Sequence, residues 1–210
     1  SLPEGVEKIV SYPRVGILLN EVQCKACQLL LEDLDDYSYV MSSSERCELS
    51  LIYIAISKDR VTIDKLMQLN DVSRNTILND LNEIRQKLAS EEYDIQLHVT
   101  KACGYYLKCH PLSKIQFLYR LLYNIYTQGN RSFIDIIRDR MIDTAGFESY
   151  FSDEINDYLQ DRLANAQESL GKKINSQDSL FMVKILPYLI LSYRSLELSE
   201  DEEIVIKREL

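Results

Sequence analysis

The 210-residue sequence has no tryptophan, two histidines, four prolines and six glycines. Ten Gly and Pro residues together fall well below the roughly 12% of an average chain. So few turn formers point to helices and exclude an all-β sandwich or barrel. No uncharged run approaches the roughly 18 residues of a membrane span. The longest, such as 121–130 and 185–193, reach roughly ten, so no membrane association is expected. No basic flank precedes an apolar stretch at the N-terminus, which excludes a secretory signal. The chain opens on Ser1, as a processed or excised chain would. There is no G-x-S-x-G, no Gly-rich phosphate loop and no metal-spaced His/Glu set. With only His98 and His110, acid–base catalysis has few candidates. No catalytic residue, cofactor or enzymatic activity is expected.

The residues present describe a globular chain: 46% apolar, 27% charged, long enough for one large or two small domains. Net charge is −9 and the pI is near 4.8. An acidic chain is a poor bulk match for nucleic acid, because phosphate binding needs Lys and Arg. Distribution matters more than the sum. Between Arg60 and His110 seven basic and seven acidic residues cancel, so the whole −9 lies outside that segment. Five cysteines, an odd count without an export signal, read as a reducing cytosol. Cys24 and Cys27 form a C-x-x-C, but zinc needs a second close pair. Only Cys103 and Cys109, with His98 and His110 nearby, come near to supplying one. A redox pair wants an electropositive helix start, and only Lys25 intervenes. Cys24, Cys27, Leu31 and Leu34 instead repeat at the spacing of a buried helix face, so no metal centre is expected.

Along the chain, residues 7–20 read as two short extended pieces around a turn, then a helix from Val22 to Leu34. Asp35–Ser44 is a polar connector. Ser42 and Glu45 have capping-box spacing, and a helix follows through Ile56. Thr62 can cap a short helix to Leu69, Asn70-Asp71 makes a turn, and Ser73 can cap a helix to about Ala89. In that helix Ile77, Leu81, Ile84 and Leu88 step as one buried stripe. The opposite face offers Arg74, Asn75, Asn79, Asn82 and Arg85, while Asp80 is expected to pair with a neighbouring helix. Two helices joined by a tight turn, the second with an amide- and Arg-rich face, form a helix-turn-helix pattern. Residues 95–99 and 105–109 then form a hairpin, the order of a winged helix-turn-helix. His98 reads as an exposed wing residue, and Tyr105 and Tyr106 as packing the wing. From Pro111 onward four helices are expected, 115–127, 133–142, 151–170 and 178–196. The last, apolar nearly all round, should be central to the bundle they form and be kinked or broken at Pro187. The charged residues 200–210 begin a further helix or a linker. A weak repeat at an offset of 88 aligns Gly16 with Gly104, Leu19 with Leu107, Gln28 with Gln116, Leu30 with Leu118 and Leu34 with Leu122. It makes residues 7–20 the wing of an earlier module.

Glu45-Arg46 at a helix start, Val-Thr-Ile-Asp-Lys-Leu at 61–66, Val-Ser-Arg-Asn-Thr-Ile-Leu-Asn-Asp-Leu at 72–81 and Gly-Tyr-Tyr-Leu at 104–107 are the specific strings. With them the chain resembles bacterial transcription regulators that carry phosphotransferase-regulation domains (PRDs), such as the mannitol and lichenan regulators. The Mga-type virulence regulators share this layout. The resemblance implies a mainly α chain with three parts. Residues 1–40 are the remnant of a first winged helix. Residues 41–110 are a second winged helix-turn-helix, three helices plus a hairpin wing. Residues 111–210 are an all-helical PRD-like bundle. It implies a cytoplasmic homodimer that binds double-stranded DNA and controls a sugar-uptake operon. The DNA-contacting residues would be Ser73, Arg74, Asn75, Asn79, Asn82, Arg85 and Lys101, with Arg60 and Lys65 as further phosphate candidates. Control in that family runs through phosphorylated PRD histidines, and residues 111–210 contain no histidine. No phosphorylation is therefore expected in this chain: either the PRD-like region keeps only a structural and dimerising role, as in the Mga-type proteins, or phosphotransferase proteins act through regions outside it. The second reading is a protein–protein interaction and dimerisation module whose winged helix no longer binds DNA.

Overall fold

A computed structural model describes residues 8–12, 16–32, 39–90, 94–128 and 130–196, with the backbone alone at 11, 12, 16 and 28–32. The turn expected within residues 7–20 falls at 13–15, which with Leu34, residues 35–38 of the connector and the charged 200–210 segment lie outside those residues. The chain is mainly α and divides into two compact units, Ser1–Val40 and Met41–Leu210.

In the first unit, strands β1 (Ser11–Tyr12) and β2 (Gly16–Ile17) pair antiparallel, and helix α1 (Glu21–Glu32) follows. Asn20 and Gln23 cap α1 reciprocally: each side-chain oxygen accepts from the other's amide, at 2.8 and 2.9 Å. Gln23 and Ala26 face inward. Cys24 is exposed and Cys27 half-buried, so the C-x-x-C does not lie on the buried face its spacing suggested. The inward positions of α1 are one residue out of step with the cysteines.

The second unit is built around α2 (Ser43–Ile56). Its capping box is complete: Ser42 Oγ accepts from the Glu45 amide and Glu45 Oε2 accepts from the Ser42 amide at 2.7 Å. Every residue from Leu49 to Ile56 is buried. Helices α3 (Ile63–Asn70) and α4 (Arg74–Ala89) pack on α2, capped by Thr62 and Ser73. Asp71 ends α3 in the left-handed conformation, φ 52°, which an Asp tolerates. Buried Asn70 ties this turn to α2 by donating to Ser50 Oγ at 2.9 Å. The stripe Ile77, Leu81, Ile84 and Leu88 is buried as the periodicity requires. Strands β3 (Gln96–Thr100) and β4 (Gly104–Lys108) form an antiparallel hairpin, with Leu97 and Leu107 paired and buried. The hairpin is fixed to the chain before α3, where the Tyr105 amide donates to the Val61 carbonyl at 2.8 Å.

Four helices complete the unit: α5 (Pro111–Gln128), α6 (Arg131–Asp143), α7 (Asp153–Leu170) and α8 (Ser176–Arg194). Pro111 opens α5, where its missing N–H is no loss. A 3-10 turn, Glu148–Tyr150, precedes α7. Helix α8 runs unbroken through Pro187, with Val183 and Ile185 before it and Tyr188 and Leu191 after it buried. Within the helical region it packs against both α5 and α7, the central place expected of it, and against α2 as well, while Leu180, Ile190 and Tyr193 remain exposed.

Lys114 of α5 is buried without a carboxylate partner among the described residues. Its Nζ donates to Ser195 Oγ at 2.7 Å, just past the C-terminus of α8, where a cation is favourable. Burial pushes its pKa from the ordinary 10.5 down to about 8. A lowered ammonium pKa in the folded state means the charging penalty is present below pH 8 and fades as pH rises toward 10.5. Stability from this group therefore increases through that window. Cys47 and Cys109, whose thiols burial pushes up, act in the opposite direction. The difference between wild type and Lys114→Met isolates the lysine: urea titrations should show the wild type gaining on the variant as pH rises above 8. Parallel stability curves would show that Lys114 does not titrate there.

Candidate nucleic-acid interface

Helix α4 sorts its polar residues by face. Asp80, buried, accepts from Arg46 Nε at 2.8 Å and Arg46 Nη2 at 2.9 Å, a two-pronged ion pair onto α2. Ser43 Oγ donates to Asp80 Oδ1 at 3.0 Å and to Glu83 Oε2 at 2.8 Å. Glu83 also pairs with Lys87 at 3.2 Å. The expected pairing of Asp80 with a neighbouring helix is thus present, and both carboxylates of α4 are turned toward α2.

The opposite face carries no carboxylate of α4. Arg74, Asn75, Asn79, Asn82 and Arg85 are all exposed. Asn75, Asn79 and Asn82 follow i, i+4, i+7 on one line, spanning about 10 Å at the helical rise, the length of about three base-pair steps. Arg74, Asn75 and Asn79 have no hydrogen-bond or ion-pair partner among the described residues, so their donors face solvent. Farther along, Arg85 Nη1 donates to Asn82 Oδ1 at 2.9 Å. Ser73 is exposed, but its oxygen is occupied by the cap: it accepts from the Thr76 amide at 3.3 Å and lies 2.9 Å from Thr76 Oγ1. The first turn of α4 contains no acidic residue and begins on Arg74, a charge its own dipole disfavours.

Lys101, in the turn of the hairpin, is exposed, as are Arg60 and Lys65. His98 is half-buried rather than exposed, its Nε2 lying 3.0 Å from Gln96 Oε1 and its ring 5.9 Å from that of Tyr106. Tyr105 and Tyr106 are half-buried. Sequence reasoning missed Leu78, exposed in the middle of the amide-rich face. Its spacing from Arg74 and Arg85 was the available signal.

Ligand atoms of Cys47, Asp80 and Glu83 lie within 4.8 Å of one another, a spacing compatible with a metal. These donors are already committed. Arg46 holds Asp80, Ser43 and Lys87 hold Glu83, and burial pushes the Cys47 thiol up to about 12, which keeps it protonated. The cluster is an ion-pair network between α2 and α4. No protein-family model, curated protein or solved structure matches the chain. No helix among the described residues is long and apolar enough to cross a membrane.

Proposed function

We propose that the chain belongs to a DNA-binding transcription regulator of the PRD-type or Mga-type class. In this reading α2, α3, α4 and the β3–β4 hairpin form a winged helix-turn-helix whose second helix enters the major groove. One observation carries it: α4 buries Asp80 against Arg46, ties half-exposed Glu83 to Ser43 and Lys87, and leaves Arg74, Asn75 and Asn79 outward with unoccupied donors. A segment neutral by composition thereby presents a helix face whose nearest α4 carboxylate, Glu83, is already paired with Lys87. Asn suits adenine and Arg suits guanine or phosphate. Lys101 would contact the backbone, positioning rather than specifying. The PRD-like helices would hold two copies together in the bacterial cytoplasm.

The test is selection of the whole chain against a random-sequence pool of DNA duplexes, followed by titration of the selected duplex. Arg74→Ala should lose about 1–3 kcal/mol of affinity, and Lys101→Ala should lower the salt slope by about one. Unchanged affinity and salt dependence in Arg74→Ala and Asn75→Ala would remove the assignment. Sedimentation of the free chain at micromolar concentration should give a dimer mass, and a monomer at every concentration would remove the second half of the proposal. Exposed Leu78, with exposed Asp71 in the turn before α4, favours the second reading, in which this face meets a protein. Failure of the selection with a dimer intact would support that reading.

A further inference from the structure

A cavity of about 220 Å³ lies where the end of α2, helix α3, the α6–α7 connection and the end of α8 meet. Tyr53, Phe147 and Tyr150 supply aromatic wall. Lys58, Lys65 and Arg194 surround it, against a single carboxylate, Asp59. In a chain of net charge −9, three cations to one anion is a local reversal of sign. Neither lysine has an ion-pair partner among the described residues. Arg194 is stacked 5.6 Å over the Tyr150 ring and donates to its hydroxyl, which fixes the guanidinium at the rim. Ser57 is also in the lining, though its Oγ is buried away from the cavity surface. The carbonyl ends of α2 and α8 also lie here and would oppose an anion. Within the protein Ser195 Oγ lies 3.2 Å from the Ala55 carbonyl near the end of α2, and Lys114 donates to that same Oγ, which offsets part of this charge.

We infer that this cavity binds a small organic anion, a phosphate or carboxylate on a planar or apolar body. The cations take the charge and the aromatic wall takes the body. The volume is below that of drug-sized pockets, which restricts the occupant to a small metabolite. A ligand held between Lys65 of α3 and Arg194 of α8 would fix α3, and through its short turn α4, against the helical region. That regulatory consequence rests on the DNA-binding reading; the binding itself does not.

The experiment is a calorimetric titration of the whole chain, without DNA, with phenyl phosphate. Saturable binding is expected, weakened about tenfold or more in Arg194→Gln and in the Lys58→Gln/Lys65→Gln pair, a loss of at least one charge-assisted contact. These side chains are exposed and their replacement leaves the core intact. Benzyl alcohol and benzylamine, of similar shape but neutral or cationic, should not saturate. Absence of saturable phenyl phosphate binding, equal affinity in both variants, or benzylamine binding as tightly would overturn the inference. If phenyl phosphate binds as expected while no duplex is selected, the site stands and only the DNA reading falls.

Discussion

Asp80→Ala is expected to destabilise the protein by about 3–5 kcal/mol, the cost of leaving one partner of a buried ion pair alone. Asp80 has a side-chain exposure of 3% and Arg46 of 16%, so the guanidinium would keep its charge with little access to water. The loss also frees one acceptor of Ser43. Replacing both partners by apolar residues, Arg46→Met with Asp80→Leu, should recover most of the loss, since no charge is then stranded. Denaturant titration of the single and double variants measures the coupling. A loss below about 1 kcal/mol in Asp80→Ala would place the pair with solvent-screened surface bridges. The ion pair has a second consequence. Because it holds Asp80 inward, weakening it should release that carboxylate toward the outer face, so Asp80→Glu should reduce DNA affinity without touching Arg74.

Gly104→Ala should be nearly as damaging, by about 3 kcal/mol or more, because two penalties coincide. Gly104 has φ +70°, and a Cβ there would lie 2.1 Å from the Val61 carbonyl oxygen. That oxygen accepts the Tyr105 amide, so it cannot retreat without releasing the hairpin from the chain before α3. Gly146 provides the control. Its φ is +72° with nothing within 4 Å, so Gly146→Ala carries only the conformational penalty of about 1 kcal/mol. Thermal melts of the two variants should separate clearly. Equal shifts would mean the Val61 contact contributes nothing.

Much of the local structure was legible in the residues. Ser42 with Glu45, Thr62 and Ser73 announced three helix starts, because a side-chain oxygen placed before a run of amides satisfies donors that no carbonyl can reach. The step from Ile77 to Leu88 fixed which face of α4 is buried, and so which residues face outward. The hairpin after α4 followed from its apolar alternation and Gly104. Each of these depends on neighbours within a few positions, where covalent geometry already sets the distances.

The remaining features depend on residues far apart in the chain. An apolar helix does not report which distant elements surround it: α8 lies against α5 and α7, but that α2 also packs on it was not legible in its residues. Cys24 looked buried by spacing and is exposed. The equal counts of acid and base between Arg60 and His110 said nothing about faces. Arg46, on another helix, turns Asp80 inward, because two opposite charges with little access to water stabilise each other far more than in solvent. Lys58, Lys65 and Arg194 meet around one cavity only because α2, α3 and α8 converge there. By itself the sequence determined the helices, their caps and the outward face of α4. Tertiary packing decided which charges that face keeps and where cations gather, because long-range Coulomb pairing and burial have no signature in local spacing.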